Sequence, residues 1–116
     1  MKLLNGSGIL LDKLEELFKL QKEFQEKYGY FPALDKWASA LMSEGGELWT
    51  ASTDGKGQGK WWKKQADTRE HQVEELVDIL HFFLGACICL NLSPQELFDA
   101  YTKKLGVNYQ RQKEGY

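Results

Sequence analysis

Apolar positions recur at helical spacing along nearly the whole chain. Over residues 10–28, Leu10, Leu14, Leu17, Gln21 and Phe24 fall on one stripe, flanked by Leu11 and Phe18, while Lys and Glu fill the opposite side. This pattern predicts an amphipathic first helix. The run Gly29-Tyr30-Phe31-Pro32 stops it, and a second helix is expected from about Asp35 to Ala51, carrying Trp37, Leu41, Leu48 and Trp49. Residues 52–60 hold three glycines and no large apolar side chain, which predicts a loop. A third helix is expected from Thr68 to Leu90, polar at its start and apolar on nearly every side after Leu76, so that protein should surround it. Ser93, Pro94 and Glu96 form a capping box, from which a fourth helix runs towards Arg111. No stretch sustains strand alternation. The expected fold is therefore all-α, a four-helix bundle-like subunit forming one domain over residues 1–116, with residues 1–9 as a lead-in.

Length and composition narrow the class. A chain of 116 residues has room for one core, which excludes separate cofactor and substrate lobes. At 42% hydrophobic and 28% charged residues, it has the balance of a globular protein rather than a disordered or membrane one. Fifteen Lys and Arg against seventeen Asp and Glu leave a net charge of −2, which supplies no global field for nucleic acid. The apolar stretch 79–92 contains His81 and Asn91 and is too short to span a bilayer. Asn5, Gly6, Ser7 and Gly8 interrupt the first apolar group, so neither a secretory leader nor a membrane partner is expected, and the setting is read as cytoplasmic. Cys87 and Cys89 diverge on one helix and are expected to be buried thiols. The Gly/Lys run superficially resembles a phosphate-binding loop, but Gly55 and Gly59 are one residue too close, Trp61 follows Lys60, and no strand precedes.

The chemistry concentrates in two helical segments. Glu44-Gly45-Gly46-Glu47 sets two carboxylates one turn apart on one face of the second helix. Glu75-Leu76-Val77-Asp78 repeats the spacing on the third, with Glu74 beside it. Because the second pair introduces the most apolar helix, Glu75 and Asp78 are expected to face the interior, where ionised carboxylates require a counter-charge. Mg²⁺, a hard cation that takes oxygen ligands and joins carboxylates to phosphates, would supply it. Gly45 and Gly46 each cost about 1 kcal/mol relative to Ala inside a helix, which suggests a need for space or backbone access there. Two further segments bear on phosphates and bases. Lys104, Asn108 and Arg111 share one helical face of donors, and Lys60-Trp61-Trp62-Lys63-Lys64 offers cations beside flat rings. Gln21, polar within the first apolar stripe, reads either as a satisfied buried amide or as a reader of a base edge.

Together these residues resemble the dimeric all-α dUTPases, a family of the MazG-like all-α nucleoside triphosphate pyrophosphatases. The similarity runs through Leu20-Gln21, Glu44-x-x-Glu47, Lys60-Trp61-Trp62-Lys63, the run Glu75 to Phe82, and Tyr101, Lys104, Asn108, Arg111, Gln112, Gly115 and Tyr116. It implies hydrolysis of dUTP to dUMP and pyrophosphate, serving nucleotide pool sanitation and dTMP supply. It also implies Mg²⁺, with Mn²⁺ as a substitute, held by Glu44, Glu47, Glu75 and Asp78. Glu44 and Glu47 would be catalytic, with Glu44 orienting or deprotonating the attacking water. Lys63, Lys104, Asn108 and Arg111 would contact phosphates, and Gln21 and Trp61 the base. Ser43 stands where the MazG group usually has a further Glu, which favours the dUTPase branch. A homodimer is expected from the resemblance and from the apolar third helix. Two other readings stay open: a MazG-like pyrophosphatase acting on dCTP or noncanonical nucleotides, and a non-enzymatic dimeric helical module that needs no metal.

Overall fold

Helix starts follow the oxygens that the sequence supplies to unpaired N–H groups. In the computed structural model, which describes residues 3–4, 10–52 and 68–115, the first helix, α1 (Lys13–Tyr28), begins where Asp12 accepts the Glu15 N–H at 2.8 Å. The helix starts later than its apolar stripe because Leu10–Leu11 (β2) pairs antiparallel with Leu3–Leu4 (β1), matching Leu3 to Leu11 and Leu4 to Leu10. Gly29, at φ 61°, ends α1 in the left-handed conformation and lets the Tyr30 N–H return to the Gln25 carbonyl at 2.9 Å. The second helix, α2 (Leu34–Ala51), is closed at its far end from outside, since Gln72 donates to the Ala51 carbonyl at 3.0 Å. The third, α3 (Arg69–Cys89), starts at Thr68, whose hydroxyl accepts the His71 N–H at 3.1 Å. Asn91 then takes φ 56°, and Ser93 caps α4 (Pro94–Lys113) by accepting the Glu96 N–H at 3.1 Å. The fold is all-α with four helices, as the periodicity predicts.

The principal packing is between α2 and α3. Trp37 meets Phe82 and Gly85, Glu44 meets Glu75 and Asp78, and Ala51 meets Gln72, so the two helices run antiparallel. Trp37 is the anchor. It is 2% exposed, donates its indole N–H to the Pro32 carbonyl at 3.1 Å, and lies against Gly85 so closely that a Cβ there would collide with its ring. Burying such a ring contributes roughly 4 kcal/mol of transfer free energy. A second cluster, Phe18 with Leu84 and Cys87, joins α1 to α3 and is extended by Leu14, Leu17, Ile88, Leu92 and Leu97.

Several details depart from the periodic reading. Phe24, on the predicted stripe, is 47% exposed, whereas Gln25 beside it is buried. The amide is accommodated because Gln21 donates to it at 3.0 Å and it donates to the Tyr30 carbonyl at 3.1 Å. Cys87 is buried as expected but Cys89 is exposed, since two residues on a helix turn the side chain to the far side. Within one chain, protein does not surround α3: Leu76, Val77, Leu80 and Phe83 remain exposed. Helix α4 leaves α3 at a bend of 106°, packs its first turns beside the start of α1, and buries no residue. Among the described residues, no single helix is long and apolar enough to cross a membrane.

Candidate active site

The antiparallel α2–α3 pair sets the register that brings acids together. One carboxylate oxygen each from Glu44, Glu75 and Asp78 lies within 4.8 Å of the others. Glu75 is buried, Glu44 half-buried and Asp78 exposed, so the trio forms a mouth that is open on one side. The expectation that both Glu75 and Asp78 face the interior therefore holds for Glu75 and not for Asp78, which sits one turn nearer the rim. Glu47 is exposed and stands outside the trio, although its charge still acts on Glu44.

Electrostatics mark Glu44 as the strained member. Its pKa is raised above the ordinary 4.5, first by desolvation, then by the charges of Asp78, Glu75 and Glu47, and by a hydrogen bond shared with Glu75. Such a group is stabilised either by a proton or by a cation. The donor set is hard oxygen only, at a spacing a small ion can bridge, which fits Mg²⁺. The cluster can thus coordinate a divalent cation.

His71 was not singled out by motif reading, yet its Nε2 lies 3.0 Å from Glu75 Oε1. The signal was present as an i, i+4 spacing on α3. Gly45 and Gly46 behave differently from expectation, because a Cβ at either would meet nothing within 4 Å. Among the described residues, no neighbour needs their space. Gly45 instead floors a shallow groove with Leu48, Trp49, Ser52, Gln72 and Leu76, adjacent to Glu44. A separate hollow between the start of α1 and the start of α4, bordered by Asp12, Leu14, Pro94 and Phe98, lies at the other end of α3 from the acids.

The remaining predicted residues are distributed unevenly. Gln21 is buried and hydrogen-bonded to Gln25, in agreement with the satisfied-amide reading of that position. Lys104 and Asn108 are exposed on α4, and Arg111 is half-buried there. Helical rise and the 106° bend put Lys104 on the order of 20 Å from Asp78, with Asn108 and Arg111 farther, so one chain does not bring these donors to the acids. Trp61 and Lys63 lie outside the described residues, as do Trp62 and Tyr116.

The helical framework and the acidic, cation-competent mouth agree with the MazG-like all-α nucleoside triphosphate pyrophosphatases, the class of the family that the chain matches. Within it, a dUTPase family model matches residues 13–96, covering α1 to the first turn of α4, and the chain belongs to this family. The match includes all three clustered carboxylates and ends before Lys104. Among curated proteins, a dCTP pyrophosphatase of Enterobacteria phage LZ5 is 42% identical over 50 residues, which make up 40% of this chain and 29% of the relative. The chain thus spans less than a third of that relative's length. No solved structure matches the chain significantly.

Proposed function

We propose that the protein hydrolyses a pyrimidine deoxynucleoside triphosphate to its monophosphate and pyrophosphate, with the acidic mouth as the seat of a divalent cation. The observation that carries this reading is the convergence of Glu44, Glu75 and Asp78 from two helices to within 4.8 Å. Family membership supports the reaction class, and the phage relative supports a pyrimidine base. The expectation of dUTP alone is thereby broadened, because the family is named for dUTP and the relative for dCTP.

When bound, Mg²⁺ supplies charge neutralisation at the carboxylates and Lewis-acid polarisation of the phosphate oxygens. The side chains do the rest. Glu75, buried, offers a fixed oxygen at the floor of the mouth, and Asp78 a movable one at its rim. Glu44, half-buried beside Glu75 and Asp78, is suited to orient the attacking water or to accept its proton. Glu47 adds negative charge one turn outward, where a further ion could be attracted. Lys104, Asn108 and Arg111 are proposed to steady the phosphates from a second copy of the chain, because their own α4 carries them away. The exposed Leu76, Val77, Leu80 and Phe83 give that copy an apolar surface to cover.

Gln21 remains the proposed base contact. It stands one turn along α1 from Phe24, whose ring lies 5.4 Å from that of His81, itself one turn along α3 from Asp78. Because Gln25 is committed as donor to the Tyr30 carbonyl, it must accept from Gln21, and the Gln21 carbonyl is turned away from it. Uracil offers N3–H to this acceptor, whereas cytosine has a lone pair at N3 and its donor at the neighbouring N4, so the acceptor meets cytosine only if that base sits one edge position over.

The test is pyrophosphate release from dUTP, dCTP, dTTP and dATP with Mg²⁺ and then with chelator. Release from dUTP or dCTP far above that from dATP, lost on chelation, is expected. Turnover that survives chelation, or none with any nucleotide, overturns the reading.

A further inference from the structure

Glu75 is the buried member of the trio, and its rotamer is held from one side. His71, one turn earlier on α3, brings Nε2 to 3.0 Å from Glu75 Oε1, with side chains 44% and 11% exposed. His71 is itself anchored, because its main-chain N–H donates to the Thr68 hydroxyl at 3.1 Å in the first turn of α3. The cap thus fixes the main chain of His71, and the imidazole carried by that main chain reaches a carboxylate of the mouth. One oxygen held by an N–H fixes the plane of the carboxylate and the direction of its other lone pairs.

We infer that His71 is a positioning residue, which locks Glu75 in the orientation a divalent cation requires without touching cation or nucleotide. The inference rests on the reading of the trio as a cation seat. Ligating side chains generally depend on such outer hydrogen bonds, and losing one weakens metal binding about 10–100-fold.

The experiment is Mn²⁺ binding to the full chain, followed by electron paramagnetic resonance without nucleotide, with circular dichroism as a fold control. Wild type is compared with Glu75→Gln, His71→Gln and His71→Leu. Gln keeps an N–H donor within reach at i, i+4, whereas Leu keeps bulk but no donor. Glu75→Gln should lose binding, His71→Leu should weaken it about 10–100-fold, and His71→Gln should stay close to wild type. His71→Ala, the best helix former, is the second non-donor should the Leu variant misfold. If wild type and Glu75→Gln differ but the non-donor variants bind as wild type does, or if Gln weakens binding as much as Leu or Ala, the positioning role is wrong while the cation seat stands. If wild type binds no Mn²⁺, the cation seat falls, and this inference with it.

Discussion

The α2–α3 pair and α4 were equally legible as helices, yet the chain treats them in opposite ways. The pair is cross-braced by Trp37 against Gly85 and by Gln72 onto Ala51, and it brings Glu44 to Glu75 and Asp78. Helix α4 is well capped at Ser93 but buries nothing. Capping and periodicity decide that a helix exists, while packing decides where its chemistry is delivered. Among the described residues, the acidic half of the proposed site is assembled inside one chain, whereas Lys104, Asn108 and Arg111 stand apart from it.

The largest effect that would sharpen this contrast is at Glu75. Glu75→Gln keeps volume and removes a buried ligand charge, so turnover should fall about 10³-fold with helicity unchanged, as circular dichroism and pyrophosphate release would record. Loss of helicity instead would mark the acids as part of the brace. Next comes the brace itself: Gly85→Ala drives a methyl group into the Trp37 ring and should destabilise by about 3 kcal/mol in urea unfolding. A neutral result would mean that the helix crossing is not set there.

Cation binding should come third in size. A Mg²⁺ concentration of 100 times Kd should raise stability by about 2.7 kcal/mol, read as a higher Tm. The pH dependence follows from Glu44. Its folded pKa is raised, so above 4.5 the metal-free native state retains a proton that the unfolded chain has released, and stability falls as pH rises through that window. Mg²⁺ should remove this slope, because it takes the place of the proton. Melts at acidic and neutral pH, with and without Mg²⁺, check both signs. The smallest effect belongs to α4: Lys104→Ala should raise KM about 10-fold while leaving Mn²⁺ affinity untouched, in keeping with a contact to phosphate alone. A loss of metal binding would break the division between the two regions.

Helix positions were readable where caps and stops are local: Gly29, Thr68 and Ser93 act within a turn of themselves, whereas the start of α1 at Asp12 was not read because the apolar stripe runs on into β2. The paired acids were readable for the same reason, as i, i+3 spacings. What was not readable depends on the partner surface. Gly45 and Gly46 looked like sites of close approach, but the close approach is at Gly85, which periodicity absorbs into an apolar run. Gln25 and Phe24 exchange their expected exposures because the Tyr30 carbonyl is brought back by the turn at Gly29, a contact across five residues that no hydropathy pattern encodes. Asp78 and Glu75 share a motif and both reach Glu44 on α2, yet they differ in burial, which the i, i+3 spacing does not encode.

The amide relay from Tyr30 to Gln21 has an evolutionary corollary. Its first link is a main-chain oxygen, which no point substitution can delete, so the direction of the relay persists in every descendant that keeps the glycine turn and both glutamines. A lineage that turns the acceptor at Gln21 into a donor would have to replace one of these two side chains, since the turn itself holds the direction.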